Sequence, residues 1–513
     1  MGSPWRHCKR GRVLAALLLA LPAAGAGGAV PGPAWTAGWE AGLARARAEG
    51  RPAFVYFQAV WCSWCHRYER ETLADARVRA FLEARTVPVL VDYDARPELF
   101  RRLGGRGLPY TVLVDGEGRP LGAFTGILSP EDLVSWVESR LAARAAGVPA
   151  REAAPARAHA DFGSFRRAFL DHVETLYDPE TGTLAGRFES GAGLKRPSPI
   201  TWLVLADEPA WGGRAARAVR REVSVLLDRV DGGFFYFLDP HRAELHRETA
   251  KLLEANAWMA AWAAVMGRRL DDAALRRAAR SGLWWIALVA RDGRGGGFFQ
   301  SQIADARYYG LPPRERLRAA PPPVDPLKRA DANAQAAWAL AIAAGALGEP
   351  RALELAREAL GFVLGRLHAP GEGLRHLAVA GPRPLPGAPV PARIPRDLPE
   401  DLLWVAAAAR ALGRADPAGG WPARAEPLAR RLAARLEALL AGPPPGPRLA
   451  ALTAWVCVPA AAWPRCPEGA FAWALAGLTI GAETAPEDLA PGYAAWAWHE
   501  RGAPPPALVP RPP

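Results

Sequence analysis

The sequence predicts an α/β domain over residues 35–145, followed by an all-α domain over residues 161–501 that closes into an (α/α) barrel or toroid. Strands alternate with helices in the first segment, whereas the second contains only amphipathic helices separated by glycine- or proline-marked loops. A chain of 513 residues suits two or three domains. Half of the residues are hydrophobic and 23% are charged, which excludes wholesale disorder.

The positive charge of the chain is not the signature of a nucleic-acid-binding protein. The formal net charge is +12, and all but four of the 64 basic residues are Arg. Such a bias, in a chain rich in Ala and Gly, indicates genomic composition, and no basic run with interleaved aromatic residues occurs. We therefore expect no nucleic-acid partner.

Residues 1–26 have the pattern of a secretory signal peptide. Four basic residues between positions 6 and 12 precede the apolar stretch 13–21, and the small residues 24–26 form an A-x-A-like cleavage site. The apolar stretch is much shorter than the roughly 20 residues that span a bilayer, although an uncleaved anchor is the alternative. We expect an exported protein, periplasmic or extracellular, with no stable membrane span after cleavage.

The α/β domain is predicted as a β-α-β unit followed by a β-β-α unit. Ser129, Pro130 and Glu131 have the pattern of a helix N-cap and first turn, so a final helix begins there. The other predicted elements are, in order, helix 39–49, strand 52–59, helices 63–74 and 77–84, strand 86–93, helix 98–103, and strands 110–115 and 120–125.

Cys62 and Cys65 stand where a predicted strand gives way to a helix. The N-terminus of a helix carries a partial positive charge, which stabilises a thiolate at Cys62. Cys65 lies three residues later on the same helical face and can attack a mixed disulfide formed at Cys62. The sequence therefore predicts a redox pair in which Cys62 is the solvent-accessible nucleophile and Cys65 is the resolving thiol.

Three other interpretations of this motif remain open. With His66, the motif matches the CxxCH signature of c-type haem attachment, but the strand–helix junction is unlike the small helical domains that carry such haems. Zinc would need a second ligand pair, and the sequence contains no other CxxC and no HxxxH. A purely structural disulfide is the third alternative. We favour the redox pair and expect neither a cofactor nor a metal.

Residues 35–145 resemble a thioredoxin-fold domain. The resemblance rests on the aromatic strand 54–57, on Trp61 with the two cysteines, and on the segment 108–112, which contains Pro109. It implies that Pro109 is cis, faces the disulfide and docks the substrate chain beside it. The implied partners are protein thiol or disulfide substrates and a redox partner.

The run that begins at Cys65 is also similar to the reducing thioredoxin domains of periplasmic thiol–disulfide interchange proteins. That similarity implies a proton relay at Glu69, which lies four residues after Cys65 and so on the same helical face. Tyr56 stands where thioredoxins bury an aspartate. The resemblance mildly favours a reductase, although thioredoxin-fold pairs span about −270 to −120 mV.

The second domain follows a linker predicted at residues 146–160. Two Gly-Gly-Phe-Phe segments, 232–235 and 296–299, are 64 residues apart and suggest an internal repeat of helical hairpins. A helical-repeat arc is the alternative to a closed barrel. The candidate helices are 162–176, 215–229, 248–266, 273–291, 330–347, 352–367, 399–412, 428–440, 449–458 and 470–478.

These landmarks resemble a two-domain family in which an N-terminal thioredoxin-like domain precedes a six-hairpin glycosidase-like barrel. That family includes the spermatogenesis-associated thioredoxin-fold proteins. The segments that carry the resemblance are 231–237, 248–257, 295–301 and 400–401. The family usually has His where this chain has Ser63, and Trp where it has Leu108.

The barrel provides the alternative function, a carbohydrate-binding or carbohydrate-active domain with an accessory thioredoxin domain. Glycoside hydrolysis needs two carboxylates, and tryptophans can stack on sugars. The simpler interpretation is structural: the tryptophans pack in the core, and the acids cap helices. The candidate barrel-mouth residues, for a glycan or another small ligand, are Asp231, Glu248, Lys251, Asn256, Asp331, Glu400 and Asp401.

Two further expectations concern the C-terminal part of the chain. Cys457 and Cys466 are separated by a short proline-containing loop, so in an exported protein they are candidates for a structural disulfide. The proline-rich residues 502–513 are expected to be a disordered tail.

Overall fold

A computed structural model describes residues 30–146, 162–184, 198–239, 246–385, 387, 390–391, 393–440, 490, 493 and 506–511. The predicted signal peptide, all of the predicted linker except residue 146, and the candidate disulfide between Cys457 and Cys466 lie outside these residues. The candidate helices 449–458 and 470–478 also lie outside them.

The N-terminal domain is a five-stranded mixed sheet flanked by helices, as the sequence predicts. The strand order is β1-β3-β2-β4-β5; β1 and β2 run parallel to β3, whereas β4 is antiparallel to β2 and β5. The elements are β1 Thr36–Ala37, α1 Trp39–Glu49, β2 Ala53–Gln58, α2 Ser63–Tyr68, α3 Ala76–Arg85, β3 Val87–Asp92, α4 Pro97–Arg102, β4 Tyr110–Val114, β5 Pro120–Thr125 and α5 Pro130–Ala145. A π-helical turn, Glu69–Leu73, continues α2.

Burial explains why the central strands are almost continuously apolar. Every residue of β2, β3 and β4 is buried, because helices cover both faces of the sheet. At Ser129 the predicted cap is present: its hydroxyl accepts a hydrogen bond from the Asp132 amide at 3.1 Å. Strand β1 was not predicted, since it has only two residues and forms by pairing with β3.

The C-terminal domain is a series of helical hairpins. Its helices are α6 Phe162–Leu176, α7 Pro199–Leu205, α8 Gly212–Leu226, α9 Leu253–Arg269, α10 Ala273–Trp285, α11 Ala306–Gly310, α12 Pro313–Arg316, α13 Ala330–Leu347, α14 Pro350–Phe362, α15 Pro399–Ala415 and α16 Trp421–Leu440. Short strands lie between them: β6 Tyr177–Asp178, β7 Thr183–Leu184, β8 Phe237–Asp239, β9 His246–Glu248, β10 Lys251–Leu252, β11 Ser301–Gln302, β12 Val324–Asp325, β13 Leu327–Arg329, β14 His368–Ala369, β15 Gly373–Leu374 and β16 Leu377–Val379.

Three alanine-rich helices form the inner layer of this domain. Helix α13 packs between α9 and α15, and each of the three packs against the outer helix that follows it, α10, α14 or α16. Alanine allows such helices to approach closely and bury nearly their whole surface, as in α13, where residues 336–344 are all buried. The arrangement confirms the predicted all-α domain of (α/α)-barrel type.

The first Gly-Gly-Phe-Phe loop is held by an ion pair and a buried amide. Lys251 Nζ donates to Asp228 Oδ2 and to the Gly232 carbonyl, each at 2.7 Å. The Asn256 side chain accepts from the Phe234 amide at 2.6 Å and donates to the Phe234 carbonyl at 3.0 Å. Lys251 and Asn256, two of the candidate barrel-mouth residues, thus fasten this loop to β10 and α9.

The second loop repeats the same contacts. Lys328 Nζ donates to Asp292 Oδ2 at 2.6 Å and to the Gly296 carbonyl at 2.9 Å. The Asn333 side chain pairs with both backbone groups of Phe298, at 2.9 and 3.0 Å. Because the same five groups recur in the same roles, the two loops belong to an internal structural repeat.

Two predictions for this domain were wrong. Residues 506–511 are ordered instead of forming part of a disordered tail: Leu508 is 1% exposed, and its carbonyl accepts from Trp338 Nε1 at 3.2 Å. The helix predicted at 248–266 begins instead at Leu253, because the residues before it pair as short strands. Helix α7 was not predicted. Within the described residues, no helix combines the length and the apolar character needed to cross a membrane.

Candidate functional site

Cys62 and Cys65 form a disulfide at the start of α2. Their Cα atoms are 5.3 Å apart, and Cys62 is the N-cap residue of the helix. The Cys65 amide donates to Cys62 Sγ at 3.1 Å. The peptide bond between Leu108 and Pro109 is cis, as the resemblance to thioredoxin-fold domains implied.

The prediction that Cys62 is accessible to solvent was wrong. Cys62 is 2% exposed and Cys65 is fully buried. Ala250 and Leu252 from the helical domain belong to the same apolar cluster as the two cysteines. The Tyr236 ring also packs edge-on against Trp61, with centroids 5.4 Å apart. Tertiary contacts with the second domain, which no local pattern encodes, therefore close the disulfide off from solvent.

Glu69 lies in a buried hydrogen-bonded group one helical turn after Cys65. Its carboxylate accepts from the Tyr56 hydroxyl at 3.1 Å and pairs with His66 Nδ1 at 3.1 Å. Burial and the neighbouring Glu69 hold the pKa of Tyr56 well above its usual value. Burial lowers the pKa of His66, but the hydrogen bond and the charge of Glu69, together with the hydrogen bond to the Val60 carbonyl, outweigh burial and the net shift is upward. Tyr56 thus fixes the orientation of Glu69 near the resolving cysteine.

His66 has no free ring nitrogen for a haem iron. Its Nε2 donates to the Val60 carbonyl at 2.7 Å, while Nδ1 faces Glu69. Both sulfurs that would attach a haem are joined to each other. The structure therefore disfavours the haem interpretation of the motif.

Glu248 reaches from the helical domain to the first residue of the CxxC helix. Its Oε2 accepts from the Ser63 amide at 3.1 Å and from the Ser63 hydroxyl at 2.6 Å. Its Oε1 accepts from the Ala250 amide at 3.2 Å. Glu248 is 1% exposed, and burial raises the pKa of its carboxyl group. A carboxylate of the second domain is thus buried beside the disulfide.

Trp61 begins a second chain of contacts between the domains. Its Nε1 donates to Asp94 Oδ2 at 2.9 Å, and Asp94 Oδ1 accepts from Arg329 Nη1 at 2.8 Å. Arg329 also pairs through Nε with Asp331 Oδ1 at 3.0 Å. Burial raises the pKa of Asp331, but Arg329, His376 and the Ala332 amide together outweigh burial, so the pKa falls to about 2. Arg329 therefore joins a carboxylate of each domain.

His376 and Asp401 extend this network inside the helical domain, where both are buried. His376 Nε2 donates to the Asp94 carbonyl at 2.9 Å, and Nδ1 lies 2.9 Å from Asp401 Oδ2. Burial raises the pKa of Asp401 to about 6. Burial alone would lower the pKa of His376, but Asp401 raises it overall. Nearby, burial raises the pKa of Glu254 to about 7.

The remaining acids of the mouth also have basic partners. Arg101 of the thioredoxin-like domain pairs with Glu400 at 2.5 Å, and Arg316 pairs with Asp231 at 2.5 Å. Arg383 pairs with Asp325 at 2.5 Å and also contacts Asp92 of the thioredoxin-like domain. Helix N-termini place several of these acids, because Glu254, Asp331, Glu400 and Asp401 occupy the first turns of α9, α13 and α15.

Asp331, His376 and Asp401 are close enough together to hold a metal ion. Their ligand atoms lie within 4.8 Å of one another. The geometry favours a paired network instead, since Arg329 already neutralises Asp331 and both nitrogens of His376 have partners. These residues therefore do not offer a free ligand set for a cation.

The tryptophans considered for sugar stacking are mostly core residues. Trp258, Trp338 and Trp404 pack against one another, with ring centroids 5.5–6.4 Å apart, and are at most 9% exposed. Trp262 and Trp285 are buried as well, whereas Trp284 is 45% exposed.

The structure brings together residues that the sequence did not single out. Asp94, Arg329, His376 and Glu254 join the two domains or line the mouth of the helical domain. Only the placement of Glu254 at a helix start could have been read from the chain. The others lie in strands or loops whose contacts arise between domains.

Comparison with known proteins supports the two-domain description. Residues 39–140 match the family model of a thioredoxin-like domain. No curated protein matches the chain. Among solved structures, the DsbH oxidoreductase is 22% identical with a TM-score of 0.20, over 22% of this chain and 88% of that one. A thioredoxin from Thermus thermophilus is 27% identical over the same shares, with a TM-score of 0.20.

The helical part is similar in fold to a sugar-converting enzyme. Cellobiose 2-epimerase from Spirochaeta thermophila is 15% identical, with a TM-score of 0.46, over 62% of this chain and 83% of that one. The chain joins an N-terminal thioredoxin-like domain carrying a CxxC disulfide to a mostly helical domain. The finer resemblance to the spermatogenesis-associated family stays a prediction.

Proposed function

We propose that this protein is an exported thiol–disulfide oxidoreductase whose reactive pair is Cys62 and Cys65, with a preference for reducing its substrates. The observation that carries the proposal is the disulfide at the start of α2, in a thioredoxin-like domain with a cis proline at position 109. The helical domain would bind partners or act as a scaffold. The substrates would be protein disulfides, and a dithiol redox partner would supply electrons.

The reaction follows from the two sulfurs and the group around Glu69. In the reduced pair, the Cys62 thiolate attacks one sulfur of a substrate disulfide; a bond forms between the two, and the other substrate sulfur leaves as a thiolate. Cys65 then loses its proton to Glu69 and attacks Cys62. The Cys62–Cys65 bond forms, the remaining substrate sulfur leaves and is protonated, and two electrons have passed to the substrate.

Burial of the pair adds a requirement to this scheme. Because Cys62 is 2% exposed, a protein substrate reaches it only when the segment around Ala250 withdraws. A structural disulfide would need no such movement. A redox pair therefore exchanges electrons in the folded protein, whereas a purely structural disulfide does not.

Titration of the folded protein against glutathione redox buffers tests the proposal. We expect reversible reduction of the pair without denaturant, together with reduction of insulin disulfides under dithiothreitol that exceeds the uncatalysed rate. Cys62→Ser should abolish that excess, whereas the double substitution Cys457→Ser and Cys466→Ser, which leaves no free thiol at this candidate disulfide, serves as a cysteine control. Equal rates for wild type and Cys62→Ser, or a pair that resists reduction until the protein unfolds, would reject the redox assignment.

Export rests on the pattern of residues 1–26. We propose that cleavage after Ala26 releases the mature chain, in a compartment where disulfides persist. N-terminal sequencing of protein recovered from the periplasm or the medium tests this. A chain that retains residues 1–26 in the membrane fraction would support the uncleaved anchor instead.

A carbohydrate-binding or carbohydrate-active helical domain is the second candidate. A pair of buried carboxyls favours it: Glu254 and Asp331 lie in the first turns of the adjacent inner helices α9 and α13, and burial raises the pKa of Glu254 to about 7, the direction expected for a general acid. In the closed arrangement, Asp94 and Arg329 occupy this mouth. Glycan binding measured by calorimetry, and lost in Asp331→Asn but not in Cys62→Ser, would support this function over the redox one.

A further inference from the structure

The contact between Glu248 and Ser63 places a second-domain charge beside the redox pair. The Ser63 amide that donates to Glu248 immediately follows Cys62 in the chain. Glu248 is buried, and the charged group of the thioredoxin-like domain that acts on it is His66. The other carboxylate oxygen, Oε1, accepts from the amide of Ala250, which lies in the segment that covers the disulfide.

We propose that Glu248 is a positioning residue that couples the oxidation state of the pair to domain closure, holding the helical domain over Cys62 when the pair is a disulfide and being repelled when it is reduced. This inference rests on the proposed redox function. The disulfide is neutral, so in the oxidised protein the Glu248 carboxylate at the start of α2 meets no charge on either sulfur.

Reduction changes that balance. Dithiothreitol transfers two electrons and two protons to the pair and becomes a cyclic disulfide, while the Cys62–Cys65 bond breaks. A Cys62 thiolate is then stabilised by the positive N-terminus of α2, where the Ser63 amide already donates to Glu248. Two negative charges in one buried place disfavour each other, so either the thiolate is suppressed or Glu248 withdraws. Withdrawal carries Ala250 away from Cys62 and opens the site to a substrate.

Glu248→Gln removes the charge and keeps the size of the side chain: its amide oxygen can still accept from Ser63, while the hydrogen bond from the Ala250 amide is lost. We expect the reduced form to be favoured at least tenfold relative to wild type, which raises the reduction potential of the pair by about 30 mV. Iodoacetamide should also alkylate reduced Cys62 about tenfold faster at pH 7. Glu358→Gln, at a surface ion pair with Arg291, is the matched control and should leave both values unchanged.

Hydrogen exchange of residues 246–252 measures closure directly in the full-length protein. We expect strong protection in the oxidised wild type, loss of at least tenfold in protection after reduction, and a smaller loss in Glu248→Gln. Ser63→Ala provides a second variant that leaves the helical domain intact. It removes one of the two hydrogen bonds from Ser63 to Glu248, so the oxidised pair should be reduced by dithiothreitol several-fold faster than in wild type.

The outcomes distinguish this inference from the proposed function. Two results would overturn the role of Glu248 even if the pair exchanges normally. One is an equilibrium constant for reduction of Glu248→Gln that lies within twofold of the wild-type value. The other is equal protection of residues 246–252 in the oxidised and the reduced wild type. A wild-type pair that cannot be reduced in the folded protein overturns the redox function itself.

Discussion

Arg329→Met tests whether the buried ion network holds the two domains together. Arg329 pairs with Asp94 of the thioredoxin-like domain and with Asp331 of the helical domain, and it is 6% exposed. Methionine keeps much of the apolar length of the side chain but removes the charge. Two buried carboxylates are then left without their cation, and breaking a buried pair costs about 3–5 kcal/mol.

The loss of unfolding free energy in Arg329→Met should depend on pH. Without Arg329, burial raises the pKa values of Asp94 and Asp331 above those of the unfolded chain, which are near 4. Carboxyl groups with raised folded-state pKa values favour folding at low pH and lose that contribution as the pH rises through those values. The deficit of the variant should therefore be larger at pH 8 than at pH 5.

Pulse proteolysis across a urea series measures the effect, because it counts folded molecules without assuming a spectroscopic two-state transition. Arg291→Met removes the exposed ion pair with Glu358 and is the control, expected to cost less than about 1 kcal/mol. A loss in Arg329→Met that is no larger than in Arg291→Met, or a deficit that does not change between pH 5 and pH 8, would refute this reasoning.

Four further predictions concern single side chains. Glu69→Gln should slow resolution of the mixed disulfide by about 100-fold, as expected for loss of a general base, and rapid acid quenching would trap the accumulated mixed disulfide; an unchanged rate excludes the relay. Asn333→Ala leaves both backbone groups of Phe298 without their partner and should cost at least about 2 kcal/mol in urea unfolding, whereas a loss below 0.5 kcal/mol, on the order of a surface substitution, would contradict the repeat contacts. Glu254→Gln should flatten the decline in wild-type stability as the pH rises from about 4.5 to about 7, because a raised folded-state pKa makes stability fall across that interval; parallel pH profiles would count against this. Leu508→Ala should cost about 2–5 kcal/mol, since Leu508 is buried in the core of the helical domain, and wild-type stability in this variant would show that the C-terminal segment is dispensable.

Local patterns in the chain predicted much of the thioredoxin-like domain. The apolar runs of β2 and β3, the N-cap at Ser129 and the placement of Cys62 before a helix all follow from short-range periodicity and capping. The helices α6 and α13 have the predicted bounds, because α6 has an apolar face along its length and α13 is apolar on nearly all sides. The two Gly-Gly-Phe-Phe loops likewise indicated a repeat.

The candidate site was predicted less completely. Cys62 and Cys65 form the expected pair, but Glu248, expected at the mouth of the barrel, instead contacts Ser63 from the other domain. Lys251 and Asn256 serve loop structure. Ser63 and Glu248 are 185 positions apart, and a contact at that separation leaves no periodic trace in a single sequence, so it could not be inferred from the chain alone.

The chain by itself determined which segments form strands and helices, because periodicity, caps and glycine turns act over a few residues. It also determined that two sulfurs stand three residues apart at the start of a helix. Tertiary structure alone decided that the helical domain covers those sulfurs and that Arg329 and His376 neutralise the mouth acids. The physical reason is that burial and charge pairing depend on which surfaces meet, and those surfaces come from distant parts of the chain.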